Sequence, residues 1–148
     1  MTEVGFYHLT RSTLEQALPA LLGKTLAAGQ RAAVMCGDAA RIAELDAALW
    51  RCPDPDWLPH GAEADGDADL QPIWLAPDDA APNGARYLFL VHGAQSARIG
   101  AFDRAFDLFD GGDPDAVQAA RRRWAAVKAL GHAPAYWRQS ERGWQRAD

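Results

Sequence analysis

A chain of 148 residues, 49% hydrophobic and 24% charged, has room for one domain with a substantial core, and its composition excludes wholesale disorder. Its formal net charge of −5 argues against a general nucleic-acid binder, because phosphate binding is dominated by neutralising cations. The charge is unevenly placed: residues 1–118 hold 8 Lys and Arg against 18 Asp and Glu (net −10), whereas residues 119–148 hold 7 against 2 (net +5). An acidic body with a basic C-terminal end is a statement about partners rather than about fold.

The longest apolar runs, such as YLFLV at Tyr87 to Val91, are far too short to cross a bilayer, and the first residues lack the basic start and apolar stretch of a signal peptide. A cytoplasmic protein with no membrane contact is expected. Cys36 and Cys52 stand far apart with no C-x-x-C spacing, which predicts inert thiols rather than a zinc site or a redox pair.

In chain order, VGFYHL (Val4 to Leu9) is β-branched and aromatic and predicts a strand. Ser12 or Thr13, with Glu15 or Gln16 three residues on, offers a capping box for a helix to about Ala28, with Pro19 predicting a kink or a late start and Gly29 a stop. AAVMC (Ala32 to Cys36) is the continuous apolar run of a strand buried on both faces, and Asp38 caps a second helix over AARIAELDAALW. Strand, helix, strand, helix at this spacing predicts parallel βαβ units. Arg51 to Asp69 is rich in Pro, Gly and Asp and predicts loop.

PIWLA (Pro72 to Ala76) and RYLFLVH (Arg86 to His92) predict further strands, linked through a turn at Asn83-Gly84. FDLF (Phe106 to Phe109) predicts another, after a short turn around Phe102 to Ala105. Pro114 opens a last helix that runs to about Leu130, where Gly131 closes it, and PAYWRQ with GWQ predicts a final strand or hairpin. The expected architecture is α/β: a single three-layer α/β/α domain over residues 1–148 with a largely parallel central sheet.

The strand-to-helix turns TRST and CGDAA hold neither G-x-G-x-x-G nor a P-loop, so no nucleotide cofactor is expected. Asp65, Asp67 and Asp69 alternate as an EF-hand loop would begin, but Leu70 stands where glycine is required and Ala76 where glutamate is. A solvated acidic loop is expected there, and no metal. No nucleophile elbow is present. An enzyme would have to assemble a composite site from strand-end loops, with His60, His92 and Asp103 as its candidates.

Two stretches have the chemistry of binding surfaces. In ALWRCPDPDWLPHG, Trp50 stands at a helix end and Trp57 among prolines in a loop, and tryptophan at such places is enriched in interface hot spots. In the last helix, a wheel at about 100° per residue centres Ala120, Val127 and Gly131 on the core side, with Val117 and Trp124 at one margin and Arg121 and Lys128 just beyond it. Arg122 and Arg123 fall elsewhere and are expected to be solvated charges. A ring flanked by a guanidinium and an ammonium suits a ligand with an aromatic or aliphatic group and a carboxylate, and Tyr136 and Trp137 follow closely enough to add a wall.

The succession FYHL, LDAALW, LPHG, QPIWLA, NGA and FDLFDG…AARRRWAAVKALGH…YW resembles the chi subunit of the bacterial DNA polymerase III holoenzyme over nearly the whole chain. The resemblance implies a non-catalytic accessory protein of the clamp-loader complex that binds a psi subunit on one surface. On another it binds the acidic C-terminal tail of the single-stranded DNA-binding protein, which ends in a phenylalanine with a free carboxylate. Carried over by position, the tail site falls on Phe109, Val117, Arg121, Trp124, Lys128 and Tyr136, and the psi surface on Trp50, Trp57 and Pro59.

Overall fold

The computed structural model describes residues 1–55 and 57–147. Eight strands form one sheet in the order β3-β4-β2-β5-β6-β1-β7-β8. β1 (Glu3–Leu9) lies between β6 (Arg104–Asp110) and β7 (Ala133–Ser140), parallel to both. β2 (Ala32–Cys36) lies between β4 (Ile73–Ala76) and β5 (Tyr87–Val91), again parallel, and β5 pairs with β6 to join the halves. At the edges, β3 (Gly61–Ala62) is parallel to β4, and β8 (Gly143–Arg146) forms an antiparallel hairpin with β7.

Three helices complete the layers: α1 (Leu14–Ala27), α2 (Ile42–Arg51) and α3 (Pro114–Ala129). Alternation along the strands divides the core in two. Tyr7, Leu9, Phe106 and Leu108 face α1 and α2 and pack on Leu18, Leu22, Leu45 and Leu49. Val4, Phe6, Ala105 and Phe109 face the other way and meet Ala120 and Val127 of α3. Among the described residues three crossovers carry an α-helix; between β4 and β6 the connecting residues Ala85, Ala94, Ile99 and Phe102 are buried and cover the α3 side of the sheet. The three-layer α/β/α architecture with a mainly parallel sheet is therefore as the sequence predicts.

Local chemistry explains most boundaries. Gln16 Oε1 accepts from Thr13 N–H at 2.9 Å to start α1, and Gly29 ends it at φ +77°. Pro19 neither delays nor divides that helix: its ring is buried, and it removes only the one bond that would have gone to the Glu15 carbonyl in the first turn. Asp38 Oδ1 accepts from Ala40 N–H at 3.1 Å, opening a 3₁₀ turn that leads into α2. The loop between β4 and β5 is pinned by Asn83, 3% exposed, whose amide donates to the Ala32 and Gln71 carbonyls at 3.1 and 2.9 Å. β6 is longer than expected because Arg104 and Ala105, taken as a turn in sequence, pair with Glu3 and Val4 on one side and Tyr87 and Leu88 on the other. The turn lies earlier, at Ile99–Ala101.

The expectation that Arg123 is a solvated charge is overturned. Asp107, in the middle of β6, is 1% exposed and points to the α3 side. A carboxylate there demands a cation, and Arg123, 7% exposed, supplies it bidentately: Nε to Oδ2 at 2.6 Å and Nη2 to Oδ1 at 2.9 Å. Three residues from Ala120, Arg123 lies about 60° from the core-facing centre at 100° per residue, on the margin of the buried stripe opposite Trp124. Burial pushes the Asp107 carboxyl above its usual range, and the Arg123 guanidinium pulls it back.

Arg123→Ala should lower stability by about 3–5 kcal/mol at neutral pH, since one buried charge loses its partner. Without the guanidinium, the folded pKa of Asp107 lies above its unfolded value, so the native state holds the extra proton between the two. The stability this proton gives is complete below the unfolded pKa and is lost as pH rises through the folded one. Urea titrations of wild type and variant should therefore show the gap narrowing from about pH 8 to about pH 5, and the double change Asp107→Leu with Arg123→Met should recover much of the loss.

Candidate functional site

The register of the strands brings side chains from three strands under α3. Phe6 is opposite Tyr136 on β7, and His8 opposite Phe109 on β6. These four, with Val117, Ala120, Arg121 and Trp124 of α3, line a largely apolar cavity of about 340 Å³. Phe6 and Trp124 pack with ring centroids 5.3 Å apart, and the His8 imidazole stacks on Phe109 at 4.9 Å. The Tyr136 hydroxyl lies 2.6 Å from His8 Nδ1.

The cavity exists because α3 is thinly packed. Its buried apolar residues are Ala120 and Val127, and the small Ala120 leaves the space between Trp124 and Phe109 unfilled. Arg121 is exposed at the rim and has no hydrogen-bond or ion-pair partner among the described residues. What the arrangement offers chemically is an aromatic-walled slot with one uncommitted guanidinium beside it.

Of the residues singled out from sequence, Phe109, Val117, Arg121, Trp124 and Tyr136 come together here, and Lys128 does not line the cavity. Lys128 is exposed, one turn beyond Trp124 and about 10 Å along the helix from Arg121 at 1.5 Å per residue. Phe6, His8 and Ala120 were missed as lining residues; the alternation of β1 that placed Val4 on one face placed Phe6 and His8 there too. Arg122 is exposed as expected.

The other sequence-derived surface is on the opposite flank. Trp50 at the end of α2 is 53% exposed and Trp57 is 72% exposed, while Leu58 between Trp57 and the half-buried Pro59 is 3% exposed and anchors the loop in the core. The Trp50 ring lies on that of His60, centroids 4.1 Å apart.

His60, His92 and Asp103 do not form a composite catalytic site. His60 is 4% exposed, its ring nitrogens 2.6 Å from the Leu58 carbonyl and 3.0 Å from the Asp46 carbonyl. Asp103 precedes β6 and is held by Arg86 at 2.6 Å on the surface. His92 follows the far end of β5, about 20 Å away at 3.3 Å per residue. It faces Arg41 at 3.2 Å, and burial, then that guanidinium, hold its imidazole below the usual range.

A second crevice of about 580 Å³ opens beside His92, at the carboxyl ends of β1, β5 and β6, where α/β folds often hold ligands. Its charged lining is mixed: Glu15, Asp38, Asp110 and Asp113 stand beside Arg41 and Arg123. Asp38 and Asp113 already accept from the N–H groups of the helical turns they cap, so the dipoles that would hold an anion are engaged. Among the described residues no group of three or more His, Cys, Asp or Glu could hold a metal ion. Nor is any described helix long and apolar enough to cross a membrane.

The family model for the DNA polymerase III chi subunit, HolC, matches residues 1–135. The chain belongs to that family. Among curated proteins, the probable DNA polymerase III subunit chi of Rickettsia prowazekii (strain Madrid E) is 23% identical over 99 residues, covering 67% of this chain and 60% of the relative. The chain thus spans about 60% of the length of that relative. Chi-family membership covers α3 and the loop holding Trp50 and Trp57, while Tyr136 and the β7–β8 hairpin lie mostly beyond the matched residues.

If Trp57 is retained for something other than folding, Trp57→Ser should change stability by less than about 0.5 kcal/mol. The neighbouring Leu58→Ala should lose about 2–4 kcal/mol. Urea midpoints of the two variants, measured side by side, make the comparison.

Proposed function

We propose that the chain is a non-catalytic accessory subunit of the DNA polymerase III clamp-loader complex, one domain over residues 1–148. It binds the acidic C-terminal tail of the single-stranded DNA-binding protein beneath α3 and so links that protein to the replication machinery. The observation that carries this reading is the cavity of about 340 Å³ with Phe6, Phe109, Val117 and Trp124 as walls and Arg121 at its mouth. A terminal phenylalanine ring matches the walls, its carboxylate matches the guanidinium, and the preceding acidic residues run toward Lys128 and Arg122.

Trp50, Trp57 and Pro59 form the proposed surface for a psi subunit or another clamp-loader component. A tail site and a psi site on opposite flanks let one subunit bridge two partners at once. Charge favours a protein tail over direct, sequence-specific nucleic-acid contact: the formal net charge is −5, and an acidic body repels phosphates everywhere except near α3 and the C-terminal hairpin. The protein works in the cytoplasm and takes no cofactor.

Fluorescence anisotropy with a labelled acidic peptide ending in phenylalanine tests the tail reading. Arg121→Ala should weaken binding about tenfold or more, the value of a hydrogen bond to a charged group, and Lys128→Ala less, because it stands outside the cavity. Deleting the terminal phenylalanine should cost at least as much as Arg121→Ala, and added salt should weaken every complex. Equal affinity for the truncated peptide, or an unchanged affinity in Arg121→Ala, would sink the reading.

A further inference from the structure

Three uncommitted cations stand around the α3 cavity at different heights along the sheet: Arg121, Lys128 and Arg138 make no hydrogen bond or ion pair through their side chains among the described residues. α3 carries the chain from the carboxyl end of β6 back to the amino end of β7, so it runs against the strands. Lys128, in its last turn, therefore lies toward their amino ends. Arg138 lies toward the other ends: on β7 it pairs in register with His8, the last residue but one of β1.

Strand alternation puts the Arg138 side chain on the α3 face. Tyr136, two residues earlier, lines the cavity, and Trp137 between them turns to the opposite face, where its ring stacks on Tyr7. Arg138 is exposed, which places it at the rim and not in the walls. Its neighbours across the sheet are His8 on one side and Gln145 of β8 on the other, and neither is an acid. Arg121 from the helix and Arg138 from the strand thus flank one aromatic slot with no carboxylate to answer either. A carboxylate has two oxygens, enough for a guanidinium on each side.

The direction of the ligand decides which carboxylate that is. In the tail reading the terminal ring fills the cavity and the acidic residues before it run toward Lys128 and Arg122. A chain that leaves toward the amino ends of the strands turns its terminus toward the carboxyl ends, where Arg138 stands. Resting on that reading, we propose that Arg138 is a specificity-determining residue: it shares the terminal carboxylate with Arg121 and so selects a free chain end over an acidic segment that continues past its aromatic residue. Lys128 and Arg122 read acidic side chains, which any acidic segment offers; a carboxylate on the Arg138 side is supplied by a chain end. Arg138 lies beyond residues 1–135, which the family model matches, and its role rests on this chain's own geometry.

The test uses the full chain and three labelled acidic peptides ending in phenylalanine: one with a free C-terminal carboxylate, one with a C-terminal amide, and one with a free carboxylate whose aspartates are replaced by asparagine. Arg138→Ala should weaken the free-carboxylate peptide about fivefold or more and the amide peptide about twofold or less, which collapses the carboxylate-over-amide preference. Lys128→Ala should weaken those two peptides by the same factor and have little effect on the asparagine peptide. Arg138→Lys keeps the charge without the planar fork and should recover part of the preference. Urea midpoints of the Arg138 variants should match the wild type, since an exposed side chain without a partner contributes little to folding.

Equal losses with the carboxylate and amide peptides in Arg138→Ala, or no loss with either, overturn the assignment; the tail reading stands as long as Arg121→Ala still weakens binding. An Arg138 effect that vanishes with the asparagine peptide instead of the amide peptide means that the chain runs the other way, and it overturns the assignment too. If no peptide binds the wild type, the tail reading fails and this inference with it.

Discussion

Asp107 is a carboxylate placed in the centre of a sheet strand, with Phe106 and Leu108 on either side and no water to solvate it. Such a group must be met by a cation or it must be absent. Arg123 meets it with two parallel hydrogen bonds, a geometry with little tolerance for rotation. The pair need not add net stability over an apolar alternative. Its effect is to fix how α3 is turned about its own axis. With Arg123 held on one margin of the buried stripe, Trp124 is forced to the other and Arg121 to the rim beyond it.

That rotation makes the cavity. Were α3 free to turn, its two buried apolar residues, Ala120 and Val127, would give it little preference, and the nearest large side chain would fill the gap above Phe109. Held as it is, the helix sets the Ala120 methyl group in the cavity lining and leaves the walls to Trp124, Phe6 and Phe109. A weakly packed helix with one rigid polar anchor is a way to keep an apolar surface open without exposing it broadly.

Most strands, the parallel order within βαβ units, the caps at Thr13 and Asp38, the start at Pro114 and the stop at Gly29 were legible because each follows from local pattern, whereas the two-residue β3 fell in a stretch that reads as loop. The wheel that set Val117, Trp124 and Arg121 along one side of α3 was legible for the same reason, and the structure gathers those residues with Phe109 and Tyr136. Arg123 was not, although the signal was present: Asp107 interrupts an otherwise apolar strand, and a buried carboxylate announces a buried cation somewhere in the chain. The wheel also pointed to it, since of the three consecutive arginines Arg123 lies nearest the core-facing centre at 100° per residue. His8 and Phe6 were silent, because their role depends on the lateral register of β1 against β6 and β7, which no single segment encodes. The same non-locality undid the grouping of His60, His92 and Asp103, which share proximity to strand ends but stand at different ends of the sheet and on different flanks.

The two openings in the surface divide the charge problem between them. At the carboxyl ends of the strands, the customary place for a ligand in a parallel sheet, Glu15, Asp38, Asp110 and Asp113 line the crevice beside Arg41 and Arg123, and Asp38 and Asp113 are engaged as helix caps. The cations on the same lining are already paired, Arg41 with Asp38 at 3.7 Å and Arg123 with Asp107 at 2.6 Å. Beneath α3 the balance is reversed: the walls are apolar, Arg121 is uncommitted among the described residues, and the acidic residues of the body lie elsewhere. The same α3 that is capped by Asp113 at one end carries its free cations toward the other, as its macrodipole favours. The α3 face thus sets apolar walls beside an uncommitted guanidinium, the chemistry on which the proposed acidic, aromatic ligand rests.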